Sequence, residues 1–151
     1  MVIYIGADHR GFGHKEEIKK YLSELGYGVV DLGNEKYEES DDYPDFAERV
    51  ARKVSMGGSL GILFCGSGAG VDIVANKFPG VRSALVFDQE QAMDVRTDDN
   101  VNILSLAADY TSIEKSKKII SLWLGAQFSG EEKYQRRLKK IEELEIKIKN
   151  E

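Results

Sequence analysis

The sequence predicts an α/β fold, a parallel sheet of five strands with helices on both faces, and three observations carry that expectation. Short apolar runs at 2–6, 29–32, 61–65, 83–87 and 102–106 alternate with stretches whose apolar residues recur at helical spacing, the order expected of successive strand–helix units on a parallel sheet. Gly61-Ile62-Leu63-Phe64 is continuously apolar, as suits a central strand covered on both faces. It leads through Cys65 into Gly66-Ser67-Gly68-Ala69-Gly70. Glycines in such a turn let backbone approach a ligand closely, and the amides of a following helix start attract anions.

Each element has its own signal. Ile18, Tyr21, Leu22 and Leu25 mark a helix over 15–25 that stops at Gly26. Residues 33–42 are polar and acidic and read as a surface loop. Tyr43-Pro44-Asp45 opens a helix to about residue 55, with Phe46, Val50 and Val54 on one face. The glycine turn leads into a helix over 71–77, broken by Phe78-Pro79-Gly80. A short helix over 88–96 and a polar loop over 97–100 precede the fifth strand, and Thr111-Ser112 starts a helix to about residue 124. The tail, 130–151, is charged, with a narrow stripe of Leu138, Ile141, Leu144 and Ile148. Such a helix packs either on its own domain or on a partner subunit, and the second is expected here.

The totals restrict the function. A chain of 151 residues supports one domain with a full core. A net charge of −5 and a pI of about 5.2 argue against a nucleic-acid or anionic-membrane surface. One cysteine excludes an intrachain disulfide and fits a reducing cytoplasm, and no signal peptide or membrane span is visible. With His9 and His14 as the only histidines, a histidine-rich metal cage is not expected.

Polar groups fall at predicted strand ends: Asp8-His9, Cys65 to Ser67, Asp98-Asp99-Asn100, and Tyr43 nearby. The carboxyl ends of parallel strands share one edge, so these groups are expected to converge. Singly, each has a plainer reading. Asp8 and Asp98 serve as caps, Tyr43 as a half-buried ring, and a lone cysteine is most often inert packing. Together, a thiol, a hydroxyl and several N–H donors suit proton abstraction beside a carbonyl, with the donors holding the enediolate oxygen. That is aldose–ketose isomerisation, which needs neither metal nor redox cofactor. Use of Cys65 as a covalent nucleophile with His9 as its base remains open at this level.

Several motifs appear in order: Gly6-Ala7-Asp8-His9-Arg10-Gly11-Phe12, Asp42-Tyr43-Pro44-Asp45-Phe46-Ala47, Cys65-Gly66-Ser67-Gly68-Ala69-Gly70, Ala75-Asn76-Lys77, Pro79-Gly80, and Trp123-Leu124-Gly125-Ala126-Gln127-Phe128. They resemble the type-B ribose-5-phosphate isomerases, which share a sugar-phosphate isomerase family with the galactose-6-phosphate isomerase subunits. The resemblance covers nearly the whole chain, taken as one domain over 1–151. It implies a Rossmann-like three-layer sandwich, no cofactor or metal, and a homodimer or dimer of dimers with active sites shared between subunits. By position it makes Cys65 the base between C1 and C2, since the glutamate base of some relatives falls on Val71. Ser67 and the amides of Gly66, Gly68 and Gly70 would hold the enediolate; Asp8, His9 and Tyr43 would contact the sugar, with Asn100 in the sugar-binding loop.

The departures from that pattern are specific. The ring-opening histidine of the ribose 5-phosphate enzymes falls on Asp98, a weaker base at neutral pH because a carboxyl titrates near about 4. The phosphate-binding arginine after the fifth strand falls on Asp109, a charge reversal. In the tail, Lys133-Tyr134 stands where an arginine–histidine pair is usual, with Arg137 matching a second arginine and Arg136 beside it. The expected phosphate site is therefore Lys133, Arg137, His9 and Arg10, and the expected ring-opening groups are Asp8 and Asp98. The leading function is interconversion of ribose 5-phosphate and ribulose 5-phosphate. The alternatives are isomerisation of a four- or six-carbon sugar phosphate and a non-catalytic sugar-phosphate-binding or partner subunit.

Overall fold

The computed structural model describes residues 1–151. In chain order the elements are β1 (Val2–Ala7), a 3-10 turn (His9–Gly11), α1 (Phe12–Glu24), β2 (Gly28–Asp31), α2 (Tyr43–Ser55), β3 (Ser59–Cys65), α3 (Ala69–Ala75), β4 (Ser83–Leu85), α4 (Gln89–Asp99), β5 (Ile103–Ala107), α5 (Ile113–Gly125) and α6 (Glu132–Asn150). The five strands pair in parallel in the order β2-β1-β3-β5-β4. This is the expected α/β architecture, with β3 at its centre.

Two cores sandwich the sheet. Ile18 and Leu22 of α1, Ala92 of α4, and Ile119, Ile120 and Trp123 of α5 pack on one face, against Ile3, Ile5, Ile62 and Leu104. Ala47, Val50, Ala51 and Val54 of α2 and Val71 and Ala75 of α3 pack on the other, against Leu63, Cys65 and Ile103. The alternation of β3 divides its side chains between the two cores, and Leu60 through Cys65 are all buried. That explains the unbroken apolar run. No helix is long and apolar enough to cross a membrane.

Two segments differ from the sequence expectation. The polar stretch 97–100 is not a loop: α4 continues to Asp99, and Asn100 ends it in the left-handed conformation at φ 48°. Asparagine tolerates that conformation better than most residues. The Thr97 hydroxyl donates to the Met93 carbonyl within the helix, so its polarity does not interrupt the turn. The fourth strand stops at Leu85, and Asp88 caps α4 by accepting the Gln91 N–H at 2.8 Å.

The tail forms α6 and contributes no buried residue. It is tied to its own chain by Glu145, whose carboxylate accepts the Gly80 N–H at 3.0 Å. Ile141, Leu144 and Ile148 face Val81 and Val95 across a recess yet remain 41%, 56% and 70% exposed.

Trp123 is the largest fully buried side chain, and its indole N–H has no acceptor. Its Ala variant should lose about 4 kcal/mol of stability through the cavity created, whereas Trp123→Phe, which removes the unsatisfied donor, should cost less than half of that. Urea unfolding followed by far-ultraviolet circular dichroism measures both.

Candidate active site

Chain order decides where a site can form. From β1 the chain adds β2 on one side, then crosses to place β3 on the other. The carboxyl ends of β1 and β3 therefore flank a topological switch point, where open α/β sheets bind ligands. Ala7 pairs with Phe64, and Cys65 pairs with Ala107 of β5. The residues that follow each strand, Asp8 to Arg10, Gly66 to Gly70 and Asp109, meet around this crevice.

Cys65 is 4% exposed, and its Sγ accepts the Gly68 N–H at 3.1 Å. Gly68 adopts φ 73°, which favours glycine, and a methyl there would lie 2.5 Å from Leu85 Cδ1. The turn thereby folds back over the sulfur before α3 begins. Ser67 stands exposed on the turn, its Oγ accepting the Ala69 N–H at 3.3 Å. Gly70 lies under the Tyr43 ring: an added methyl would approach Tyr43 Cζ to 2.6 Å. Tyr43 itself is the first residue of α2, with Pro44 behind it.

Asp8 is 5% exposed. Its Oδ1 accepts the N–H groups of Arg10 and Gly11 at 3.0 and 3.1 Å, capping the 3-10 turn. Burial raises its carboxyl pKa above the usual value, against the opposing pull of those amides and of His9. His9 is gripped by Asp41, whose Oδ1 accepts both the His9 backbone N–H at 2.9 Å and the ring Nδ1 at 2.8 Å. That hydrogen bond raises the imidazole pKa, reinforced by the charges of Asp8, Asp41 and Glu39 against a smaller desolvation effect. The other oxygen of Asp41 accepts Asn34 Nδ2 at 2.8 Å. Asp8, His9 and Asp41 bring ligand-type atoms within 4.8 Å of one another, with Asp8 Oδ1 taken by two amides and both Asp41 oxygens by His9 and Asn34.

Asp109 follows β5, and its N–H donates to the Gly66 carbonyl at 3.0 Å. Its carboxylate pairs with the Arg10 guanidinium, which covers Gly66 closely enough that a methyl there would lie 2.4 Å from Arg10 Cζ. The charge reversal is therefore compensated on the spot.

Asp8, His9, Arg10, Tyr43, Cys65, Gly66, Ser67, Gly68 and Gly70 thus gather at one edge. Asp98, Asn100, Lys133 and Arg137 do not join them. The strands run in one direction and α4 returns in the other, so its carboxyl end lies at the amino edge of the sheet. There the Asn100 carbonyl accepts Arg82 Nε at 3.0 Å, and Asn100, Met1, Ser59 and Asn102 line one recess. The length of β5, Ile103–Ala107, separates the two edges by about 13 Å. The expectation that Asp98 and Asn100 sit at a strand's carboxyl end is corrected accordingly. Lys133 and Arg137 follow the same side: Ser129, just before α6, donates to the Thr97 carbonyl at 3.0 Å. Their cationic groups lie 4.7 and 5.6 Å from the Tyr134 ring centre.

The chain matches the Ribose/Galactose Isomerase family model over residues 3–141. It belongs to that family. It is 42% identical over 141 residues to a probable ribose-5-phosphate isomerase B of Mycoplasma genitalium, covering 92% of each chain. The crystal structure of ribose-5-phosphate isomerase B from Mycoplasma genitalium with bound ribulose 5-phosphate superposes with a TM-score of 0.92 at 41% identity, over 95% of each chain. Ribose-5-phosphate isomerase B of Clostridium thermocellum gives a TM-score of 0.94 at 40% identity, covering 98% of this chain and 99% of that one.

Asp41 and Asn34 were not distinguishable by sequence. Asp41 sits in the acidic run Glu38-Glu39-Ser40-Asp41-Asp42, where only the folded loop separates the carboxylate that reaches His9 from those that face water.

The His9 ring should titrate above the usual value of about 6.5, and Asp41→Asn should bring it down, as measured by NMR of the ring protons. Because the folded value is the raised one, the stability the pair contributes is complete below about pH 6.5 and fades as pH rises through the folded value. The stability difference between wild type and Asp41→Asn should therefore be larger at acid than at alkaline pH in urea titrations.

Proposed function

We propose that this chain is an aldose–ketose isomerase interconverting ribose 5-phosphate and ribulose 5-phosphate through an enediolate, with Cys65 as base. The observation that carries the reading is a buried thiol under a glycine turn at the switch point of a fold shared with a relative that was solved with ribulose 5-phosphate.

The chemistry follows from what surrounds the sulfur. With the aldose open, the Cys65 thiolate takes the C2 proton, and the C2–H electron pair becomes the enediolate double bond while charge develops on O1. The same thiol returns the proton to C1, and a proton moves between the two oxygens. Donors aimed at the developing charge lower the barrier most when they are fixed before reaction. The Ser67 hydroxyl and the amides of Gly66 and Gly70 surround that position, Gly70 in the first turn of α3, where amides lack helical partners, while the Gly68 N–H donates to Cys65 Sγ and holds the sulfur in place. Tyr43, packed on Gly70, closes the pocket over the sugar, and Asp8 meets a sugar hydroxyl with its second oxygen. Only protons move, so no step calls for a redox cofactor or a metal.

The phosphate needs cations. Arg10 is present at the mouth but neutralised by Asp109. Lys133 and Arg137 are exposed and lie toward the other end of the molecule. The complete site therefore takes Lys133, Arg137, Asp98 and Asn100 from a second copy, giving a homodimer or dimer of dimers with shared sites. The uncovered Leu144 and Ile148 of α6 supply apolar area for that contact. A sole cysteine that must stay reduced suits the cytoplasm.

Ribose 5-phosphate should be converted to ribulose 5-phosphate by the wild-type protein, unaffected by chelators, and Cys65→Ala should lower turnover about a thousandfold. Near-full turnover in that variant, followed by ketose absorbance, would remove Cys65 from the mechanism. Turnover of a four- or six-carbon sugar phosphate instead would move the substrate and leave the base in place.

A further inference from the structure

The amino edge of the sheet holds two arginines that no acidic group answers. Arg82 directly precedes β4, and Arg96 lies in the last turn of α4. Both are partly buried, and both line the recess that also takes in Gly57, Gly58, Ser59 and Asn102. No aspartate or glutamate lines it. The chain has 26 acidic side chains to 21 lysines and arginines, yet neither Arg82 nor Arg96 enters an ion pair.

Both guanidiniums are held in place by neutral oxygens. Arg82 Nε donates to the Asn100 carbonyl at 3.0 Å, and its Nη1 to the Gly80 carbonyl at 3.4 Å. Arg96 Nη1 donates to Asn100 Oδ1 at 3.0 Å and to the Val101 carbonyl at 2.9 Å. The Arg96 guanidinium also lies 5.9 Å from the Trp123 ring centre. Five N–H donors belong to each arginine, and these bonds leave Nη2 of both, with Nε of Arg96, free of a protein acceptor. Carbonyl and amide oxygens fix the two forks without cancelling their charge. The charges oppose each other: burial, and then the positive charge of Arg82, lower the Arg96 pKa. Arginine stays ionised nonetheless, so the fold carries this repulsion until an anion relieves it.

We propose that this recess binds a phosphate monoester dianion between Arg82 and Arg96, at a site separate from the crevice around Cys65. Two fixed positive charges match a dianion. The planar guanidinium fork suits paired hydrogen bonds to phosphate oxygens, where an ammonium supplies only a point charge. The recess, about 410 Å³, has room for an organic group as well as the phosphate. Ser59, which lines it, begins β3 and Cys65 ends that strand, so about 20 Å of strand lies between the two places within one chain. Asn100, held through its carbonyl by one arginine and through its side chain by the other, is the residue that occupancy of the recess would bear on first.

The test uses inorganic phosphate, titrated into the full chain at an ionic strength held constant with sodium chloride. NMR follows the Nε–H resonances of Arg82 and Arg96, and both should shift and saturate. Arg96 packs on Trp123, so the variant is made at Arg82: Arg82→Gln should weaken phosphate binding, read at Arg96, at least about tenfold. The wild-type titration decides the matter even if that variant does not fold. Resonances that stay still, or that move as far with chloride alone, would overturn the proposal, as would undiminished binding in Arg82→Gln. Shifts that follow dilution of the protein and not phosphate would put a carboxylate of a second copy in the recess and overturn it too. The amides of Ser67 and Gly68 report the crevice in the same spectra, and any phosphate binding there should be unaffected by Arg82→Gln. If those amides instead share the Kd read at the arginines and weaken with it, one site built by two copies accounts for both, and the separate site is overturned.

Discussion

The parallel register of β3 between β1 and β5 sets the height of every reactive group at the carboxyl edge. Pairing Ala7 with Phe64 brings Asp8 level with Cys65, and pairing Cys65 with Ala107 lets the Asp109 N–H reach the Gly66 carbonyl. A slip of one residue would turn each side chain to the opposite face, sending Cys65 toward the core beneath α1 and α5. The two apolar cores prevent such a slip, because β3 is buried on both faces and each face has its own complement of side chains.

A second constraint acts at right angles to the sheet. Lys15 is buried on α1 with Asp31 at 2.5 Å and the Asn34 carbonyl at 2.9 Å, while Lys19 shares the same Asp31 oxygen at 2.6 Å. Burying an ammonium is costly unless it is paired and hydrogen-bonded. Here the pairing fastens the long connection after β2 to the first helix, and that connection carries Asn34 and Asp41 to His9. A loop without regular structure is thus held as firmly at one end as an element of secondary structure, which is what a site built on it requires.

Much of this was legible in the sequence, for reasons that differ by element. The continuous apolar run ending at Cys65 and the glycines after it mark the central strand and its turn, because burial on two faces and close backbone packing each leave a compositional trace. The placement of Asp8, His9 and Tyr43 beside them follows from strand polarity alone. Asp98 was misplaced because it precedes the fifth strand instead of following one: α4 returns against the direction of the strands, so its carboxyl end, closed by Asn100, lies at the amino edge. Asp41 and Asn34 left no trace because their roles depend on tertiary approach across more than thirty residues of chain in one case, and no periodicity encodes that. The same holds for Arg10 and Asp109, whose pairing is visible only once β3 and β5 lie side by side.

That last pair also bears on how an anionic ligand arrives. The chain carries a net charge of −5, and the arginine nearest the glycine turn is offset by its own aspartate. A single protomer therefore offers a doubly charged phosphate no long-range attraction at this mouth, and the overall field opposes its approach. Added salt, by screening that field over roughly 10 Å at 0.1 M, would speed encounter with an isolated protomer, the reverse of what an enzyme that draws in anions by its field displays.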